Sequence, residues 1–345
     1  MQPRLLAVKT AVPHFALDQP DVAKRVEHLF GSHIDIRRML PVFDNAGIRR
    51  RYSCVPLDWY GRPHGWKERN ALFIANAVAL LEKVALDLMD DAKLGRQEID
   101  AVVAVSTTGI ATPSLDALLI ERLGLRRDVR RLPIFGPGCA GGLIGLARAA
   151  DMAKAYPGSK VLLLVVELCA LTFRKDDFSK SNIVAAALFG DGAAGALLST
   201  EGEGPALGAS GEHTWPDSLD IMGWEVEEDG LSAVFSTSIP ILIGRDMREI
   251  ADGFLRRHEL SRRDIDLYAC HPGGTKVLTA LETAYGLGEG GLADSRATLG
   301  DYGNMSAATV LFVLARMDWR RPRQRILTSS MGPGFTAVFQ LIGER

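Results

Sequence analysis

The stretch GCAGGLIGLARAADMAKAYPGSKVLLLVVE, residues 138–167, recurs in outline near the C-terminus as GNMSAATVLFVLARMDWRRPRQRILTSS, residues 303–330. Each copy begins with a glycine and continues as a helix of small and apolar residues, a basic break that contains proline, and an apolar strand. Cys139 and Asn304 fall at equivalent places in the two copies. The pattern predicts one supersecondary unit that is present twice.

Two further pairs of segments extend this repeat. EIDAVVAVSTTG, residues 98–109, matches DIDLYACHPGG, residues 264–274, and GDGAAGALL, residues 190–198, matches GPGFTAVFQL, residues 332–341. The order strand, helix, strand, strand therefore occurs twice. Strands such as KVLLLVVEL are continuously apolar, which is typical of a sheet whose two faces are both covered by helices. We predict an α/β fold with a duplicated α/β/α/β/α layered arrangement.

The repeat divides the chain into halves at residues 1–199 and 200–345. An arginine-rich segment at about 20–75 is expected to be an insertion in the first half. The segment at about 200–260, which contains Trp215 and Trp224, has no counterpart in the repeat and is expected to form a cap or a wall of the active site.

Composition excludes several classes of partner. With 40 Lys and Arg against 42 Asp and Glu among 345 residues, the net charge is −2, which argues against a nucleic-acid partner. The N-terminus lacks the features of a signal peptide and no apolar run reaches about 18 residues, so we expect a cytoplasmic protein without a transmembrane segment. The four cysteines show neither a CxxC pair nor clustering typical of a metal site, which predicts reduced thiols and no metal.

Cys139 is the candidate nucleophile. It follows a Gly-Pro-Gly turn and precedes a predicted central helix, where unpaired backbone N–H groups and the helix dipole favour a thiolate. A lowered thiol pKa is therefore expected. The alternative is a small buried cysteine that packs at a tight helix entry.

Asn304 and His271 are expected to lie near this thiol. Asn304 begins the equivalent helix of the second half, and His271 ends the strand equivalent to the one before STTG. A plain helix cap and a structural histidine are the alternatives for these two residues. A thiol, an imidazole and an amide together suit decarboxylative Claisen chemistry, in which the thiol carries an acyl group and the other two donate to a thioester enolate.

The motifs GCAGG, ALFGDGAA, HPGG, YGNMS and GPG resemble those of the chalcone synthase superfamily, the type III polyketide synthases of the thiolase fold. The resemblance spans nearly the whole chain. It implies a thiolase-like homodimer that uses acyl-CoA and malonyl-CoA as substrates and needs no other cofactor. It assigns the nucleophile to Cys139, the catalytic histidine to His271 and the catalytic asparagine to Asn304.

The resemblance also implies a substrate cavity. Its residues are the gatekeepers Phe189 and Phe235, the turn Gly332, Pro333 and Gly334, the ring-closure network Thr107, Glu167 and Ser306, and the acyl-tunnel pair Thr108 and Cys169. The network permits resorcinol-type closure, whereas release as an α-pyrone needs no network, and the sequence leaves both open. Small residues in the tunnel suit a long fatty acyl starter, at about 0.8 kcal/mol for each buried methylene.

The coenzyme A contact departs from that of the plant enzymes. Arg38 matches one of their phosphate-binding residues, but Pro41 and Asn45 stand at the other two positions. The contact is expected to be rebuilt with Lys276 or with one of the arginines at positions 49–51, for which a solvated surface is the alternative.

Other functions on the same fold remain open at this stage. A β-ketoacyl synthase III shares the Cys, His and Asn set, and a tetrahydroxynaphthalene-type synthase would use malonyl-CoA alone. A degradative thiolase needs a second cysteine near the C-terminal turn, and SSMGPGFTAVF has none. An acyl-binding subunit without activity is expected to lack the nucleophile.

Overall fold

The computed structural model describes residues 1–288 and 290–344. The strands within these residues are Arg4–Ala11 (β1), Phe15–Asp18 (β2), Arg50–Ser53 (β3), Ala101–Ser106 (β4), Arg130–Phe135 (β5), Val161–Leu168 (β6), Asp191–Ser199 (β7), Leu207–Thr214 (β8), Met222–Glu227 (β9), Gly230–Phe235 (β10), Leu267–Cys270 (β11), Ile326–Gly332 (β12) and Thr336–Ile342 (β13). The α-helices are Gln19–Phe30 (α1), Pro41–Asn45 (α2), Trp66–Asp91 (α3), Leu115–Leu123 (α4), Gly141–Ala155 (α5), Lys180–Leu188 (α6), Ile239–Arg256 (α7), Thr275–Tyr285 (α8), Ala293–Tyr302 (α9) and Thr309–Arg316 (α10). Within the described residues, no helix is both long enough and apolar enough to cross a membrane.

Two mixed sheets repeat the same strand order. The first sheet runs β1-β7-β6-β4-β5 and the second runs β8-β13-β12-β11. Each sheet contains a parallel pair, β4–β6 in the first and β11–β12 in the second. In the first sheet this pair is followed by the antiparallel pairs β6–β7 and β7–β1, and in the second by β12–β13 and β13–β8. The duplication predicted from the sequence is therefore confirmed.

The layers follow from strands that are apolar on both faces. In β6 every residue is buried: Leu162 and Leu164 pack on the side of α3, whereas Leu163 and Val165 pack on the side of α5 and α10. The core around α5 and α10 also includes residues of the second sheet, and α7 and α8 share a core on the other face of that sheet. The order α3, sheet, α5 with α10, sheet, α7 with α8 is the predicted α/β/α/β/α arrangement of a thiolase-like fold.

The segment expected to form a cap, residues 200–260, includes two elements that belong to the repeat. Strand β8 pairs with β13 as β1 pairs with β7, and α7 packs on the second sheet as α3 packs on the first. These two elements therefore have counterparts in the repeat, and the hairpin β9–β10 is the part that does not. The sequence of β8, LGASGEHT, does not show the apolar pattern of a strand, because the second half of this edge strand is largely exposed. The insertion expected at residues 20–75 is also too long, because its last residues belong to α3, which begins at Trp66.

Helices α5 and α10 approach each other closely between the sheets. A Cβ atom on Gly142 would lie 2.2 Å from the carbonyl oxygen of Ala307, which is backbone and has little room to move. Glycine at this position therefore sets how closely α5 approaches the turn Ser306–Ala308 and the first residues of α10.

Gly142→Ala is expected to destabilise the protein by roughly 1–3 kcal/mol, because the added methyl overpacks this contact. Gly244→Ala is the matched control: Gly244 also lies within a helix, but its added Cβ would meet nothing within 4 Å. The control should be more stable than the wild type, because alanine favours the helix. Urea denaturation measures both, and equal stability of the two variants would contradict the packing argument.

Candidate active site

Cys139 lies in the 3₁₀ turn Gly138–Ala140, which leads directly into α5. The turn packs against the C-terminal glycine loop. Gly138 has a φ of +50°, and a Cβ on it would lie 2.6 Å from the ring of Pro333. Gly332 approaches as closely from the other side, since its Cβ would lie 2.2 Å from the carbonyl oxygen of Pro137. The two loops hold the thiol in a buried position, with 7% of the residue exposed.

Burial controls the acidity of this thiol. Removal from water raises the pKa of Cys139 to about 12, and hydrogen bonds with the side chains of Ser306 and Asn304 oppose the shift only partly. The expected lowering of the thiol pKa is therefore wrong for this structure. The loss of hydration outweighs the helix end, so Cys139 is a neutral thiol near pH 7.

His271 directly follows β11, and its backbone N–H donates to the carbonyl of Ser329 at 2.8 Å. The side chain is buried, and neither ring nitrogen has a hydrogen-bond partner within residues 1–288 and 290–344. Burial lowers the pKa of His271 to about 4. The neutral imidazole keeps one donor and one acceptor for a bound substrate.

Asn304 links the thiol to the histidine loop. Its side-chain Nδ2 donates to the carbonyl of Gly273 at 3.4 Å, and its Oδ1 accepts from the backbone of Ser306 at 2.9 Å. The same side chain is close enough to Cys139 to favour its thiolate. Asn304 therefore lies beside Cys139 and contacts the backbone of the loop that follows His271.

The predicted equivalence of Cys139 and Asn304 needs correction. Aligning the first residues of α5 and α10 places Cys139 opposite Ala307, because Asn304 precedes the 3₁₀ turn Ser306–Ala308 by two residues. Asn304 instead forms an isolated bridge with Phe189. The shared glycine that precedes each residue suggested the wrong register.

Glu167 is the centre of a buried network next to the Cys139 turn. Its Oε2 accepts from the backbone of Thr107 at 3.0 Å and from the hydroxyl of Thr108 at 2.8 Å. The hydroxyl of Thr107 accepts in turn from the backbone of Gly138 at 3.1 Å, and the side chain of Ser306 lowers the pKa of Glu167. Burial raises the pKa of Glu167 to about 7, and its Oε1 has no partner among the described residues.

The two expected gatekeepers lie together. The ring centroids of Phe189 and Phe235 are 5.5 Å apart in an edge-to-face contact, and Trp224 lies 5.9 Å from Phe189. Cys169 packs in the same small apolar cluster. Sequence reasoning did not single out Trp224 for this role, although it noted that residue in the expected cap.

A cavity of about 50 Å³ begins at this cluster, and we call it the α1–α6 cavity. It lies between α1, α6 and two 3₁₀ segments, Leu57–Gly61 and Cys169–Thr172. Its walls are mostly aliphatic and aromatic. Cys169 lines this cavity, whereas the hydroxyl of Thr108 hydrogen bonds with Glu167 and with the backbone of Leu168, and Thr108 is not part of the wall.

Arg51 is a further residue that sequence reasoning did not place. In the β2–β3 ribbon, Arg50 faces outward to Asp18, whereas Arg51 points inward and is buried. Its guanidinium donates to the carbonyls of Phe189 and Ala187 at 2.9 and 2.8 Å, and to the carbonyl of Ala186 and the side chain of Gln19. Burial lowers the pKa of Arg51 to about 10. Arg51 therefore caps α6 and cannot contact coenzyme A.

The other candidate contacts to coenzyme A are on the surface. The Arg38 side chain is 87% exposed and pairs with Asp35 at 3.3 Å. Lys276 lines a surface groove of about 410 Å³ along α8. A hydrogen bond of 2.9 Å from Thr275 to the carbonyl of Asn45 joins α8 to α2. Arg49 and Arg50 are held by Asp301 and Asp18.

Comparison with known proteins gives consistent matches over the chain. Residues 2–202 match the family model of chalcone and stilbene synthases, N-terminal domain, and residues 207–341 match that of the C-terminal domain. The chain is 37% identical to the 1,3,6,8-tetrahydroxynaphthalene synthase of Streptomyces peucetius subsp. caesius, over 97% of this chain and 92% of that protein. It is 29% identical to the 3,5-dihydroxyphenylacetyl-CoA synthase of Amycolatopsis balhimycina, over 98% and 92%. The crystal structure of 1,3,6,8-tetrahydroxynaphthalene synthase from Streptomyces coelicolor A3(2), a bacterial type III polyketide synthase, matches with a TM-score of 0.94 and 28% identity over 99% of both chains.

The raised thiol pKa predicts slow, pH-dependent alkylation of Cys139. Below the pKa, the thiolate fraction and the rate with iodoacetamide should rise about tenfold for each unit of pH. Peptide mass spectrometry of the labelled protein at several pH values between neutral and mildly alkaline measures the rate. Cys139→Ala serves as the control for labelling at other cysteines. A rate that does not change with pH would instead show a preformed thiolate.

Proposed function

The chain belongs to the chalcone and stilbene synthases, which are type III polyketide synthases, and we propose that its starter is a long-chain fatty acyl-CoA carried on Cys139. The observation that carries this proposal is the α1–α6 cavity, which is lined by Cys169 and Phe189 and has mostly apolar walls; at about 50 Å³ it holds the first few methylenes, and a longer chain has to widen it. Each methylene buried there strengthens binding by about 0.8 kcal/mol. Malonyl-CoA supplies the extender units, and release gives an alkyl α-pyrone, an alkylresorcinol or both.

Loading of the starter is a thioester exchange. The sulfur of Cys139 attacks the carbonyl carbon of acyl-CoA, and the coenzyme A sulfur leaves. Because Cys139 and His271 are both neutral near pH 7, we infer that the thiol proton moves to His271 as the new carbon–sulfur bond forms. His271 then returns this proton to the departing thiolate.

Extension begins with decarboxylation of malonyl-CoA. The carbon–carbon bond to the carboxylate breaks, CO₂ leaves, and the electron pair forms an enolate of the thioester. His271 and the amide of Asn304 donate hydrogen bonds to the enolate oxygen. The enolate carbon attacks the acyl group on Cys139, and the cysteine thiolate leaves. Asn304 is well placed for this role because it contacts both the thiol and the His271 loop.

Ring closure involves the Glu167 network in this proposal. The carboxyl group has a pKa near 7 and an oxygen without a partner, so it can accept or give a proton near neutral pH. Such a group supports the carbon–carbon closure that leads to a resorcinol. Closure to a pyrone needs only attack of an enol oxygen on the thioester.

A second candidate is a synthase that uses malonyl-CoA both as starter and as extender. The observation in its favour is the likeness to two tetrahydroxynaphthalene synthases, one of which is 37% identical to this chain. In that case the same three residues act, and the α1–α6 cavity holds a growing polyketide instead of an alkyl chain.

We further propose that the protein is a homodimer. Strand β5 pairs only with β4 among the described strands, so one of its edges is open. Phe135 at its end is 61% exposed, and Ile110 nearby is 51% exposed. An open edge with apolar neighbours is stabilised by pairing with a second copy.

The first prediction for this function is formation of a covalent acyl-enzyme. Incubation with a fatty acyl-CoA and labelled malonyl-CoA should yield alkylated pyrones or resorcinols, identified by mass. With acyl-CoA alone, the protein should gain the mass of one acyl group, and Cys139→Ala should not. Products from malonyl-CoA alone, with no use of an acyl starter, would favour the second candidate. An unchanged adduct on Cys139→Ala would exclude Cys139 as the carrier.

Cys169→Phe should fill the entrance to the α1–α6 cavity. We expect kcat/KM for starters of about ten or more carbons to fall, while that for short starters is retained, because Cys139 and His271 are not displaced. Cys169→Ala is the matched control, since it keeps the cavity open. Loss of activity on every starter would show a structural role for Cys169.

Sedimentation should show a dimer at micromolar concentration. Phe135→Asp should shift the protein towards the monomer, because a charge at the open edge opposes pairing. A monomeric wild type would contradict the proposed homodimer.

A further inference from the structure

The imidazole of His271 has no hydrogen bond that fixes its orientation. Both ring nitrogens lack a partner in the part of the chain that the structure describes, and the residue is 2% exposed. A histidine that transfers protons is usually oriented by a hydrogen bond to one of its ring nitrogens. In this protein the ring is therefore placed by packing and by its backbone, and the peptide bond between Cys270 and His271 sets where the side chain begins.

This peptide bond is held at both ends. At one end, the N–H of His271 donates to the carbonyl of Ser329 on β12 at 2.8 Å. At the other end, the carbonyl of Cys270 accepts from the side-chain hydroxyl of Ser295 at 2.7 Å. The N–H and C=O groups of a trans peptide point in opposite directions from one plane. The two hydrogen bonds together therefore fix the rotation of this plane and the direction in which the His271 side chain leaves it.

The hydrogen bond from Ser295 takes the place of a missing strand. Strand β11 has four residues and pairs only with β12 among the described strands, so it is an edge of its sheet. The carbonyls on its outer side have no strand to accept from. Ser295 lies in the first turn of α9 and is fully buried, and it supplies the donor at the last residue of the strand.

A second set of hydrogen bonds holds the same point on the face of the sheet that packs against α7 and α8. The hydroxyl of Tyr285 donates to Oγ of Ser329 at 2.9 Å, and this Oγ donates to Sγ of Cys270 at 3.3 Å. Tyr285 and Cys270 belong to the apolar core on that face. Polar side chains in such a core are unfavourable unless they are paired. Their pairing keeps the end of β11 against β12, one residue before His271.

We propose that Ser295 is the positioning residue of His271: its hydroxyl holds the Cys270–His271 peptide so that the imidazole can donate to the enolate oxygen formed from malonyl-CoA. This inference rests on the proposed function, in which His271 is a donor to that enolate. Ser295 acts only through the backbone of His271. A misplacement of a reacting group by about 1 Å can lower a rate by up to about 100-fold, so a small rotation of this peptide is sufficient to be measured.

The test measures decarboxylation of malonyl-CoA without a starter, because this step uses His271 and does not need an acyl group on Cys139. Ser295→Ala removes the hydroxyl and adds no atom. We expect kcat to fall by about tenfold while KM for malonyl-CoA is unchanged, because the contacts that bind the substrate are retained. Ser295→Cys keeps a similar size and a weaker donor, so its kcat should lie between the two. It also provides the measurement if Ser295→Ala does not fold.

Thr328→Val is the matched control. Thr328 is also fully buried, and its hydroxyl donates to the carbonyl of Gln340 at 2.9 Å instead of to the peptide of His271. Like Ser295→Ala, this variant loses one buried hydroxyl that donates to a carbonyl. It should lose stability to urea to a similar degree and keep the kcat of the wild type.

Combination with His271→Ala separates positioning from a general structural effect. If Ser295 acts through His271, then Ser295→Ala should cause no further loss of decarboxylation in the His271→Ala background. The same tenfold loss in that background would overturn the inference. So would a wild-type kcat in Ser295→Ala, or an equal loss in Thr328→Val.

The single variant His271→Ala distinguishes failure of the inference from failure of the proposed function. If His271→Ala decarboxylates malonyl-CoA slowly, the proposed function stands in each of those three cases and only the role of Ser295 is lost. Decarboxylation by His271→Ala at the rate of the wild type would overturn the proposed role of His271, and the inference with it.

Discussion

The structure depends on one close contact, the approach of α5 and α10 between the two sheets. The backbone at Gly142 lies so near the carbonyl of Ala307 that only glycine fits. Each helix is preceded by a 3₁₀ turn, so the separation of the helices also sets the distance between the Cys139 turn and the Ser306 turn. The duplicated fold thus places residues from both halves at one buried point. Neither half contains a site alone, because Cys139 comes from the first and His271 and Asn304 come from the second.

Burial at that point determines the electrostatics more than any pair of charges does. It raises the pKa values of Cys139 and Glu167, and it lowers those of His271 and Arg51. Every shift favours the neutral form, as expected when groups are removed from water. A site of this kind does not store a thiolate and an imidazolium. In the proposed mechanism, the thiol proton moves when the substrate arrives, and neutral donors face an enolate whose charge is then weakly screened.

The sequence was most informative where a physical pattern repeats. Strands with two apolar faces and the repeated segments predicted the layers, although the register that paired Cys139 with Asn304 was wrong. Strand β8 was missed because an exposed edge strand has no apolar signature. Arg51 could not be told from Arg49 and Arg50 by its neighbours along the chain, since its burial follows from the pairing of β3 with β2. Thr108 matched a family position, but its hydroxyl is taken up by Glu167.

Arg51 also contacts several parts of the candidate site through the end of α6. It holds the carbonyls at the end of α6, including that of Phe189, and Phe189 bridges to Asn304 through backbone hydrogen bonds of its neighbours. Gly190 and Gly303 leave room for this arrangement, since a Cβ on either would lie within 3.4 Å of the Arg51 side chain. Phe189, Asn304 and the wall of the α1–α6 cavity are therefore joined by a continuous run of hydrogen bonds. If a bound chain displaced α6, these backbone contacts would carry the displacement to Asn304, which is the enolate donor in the proposed mechanism.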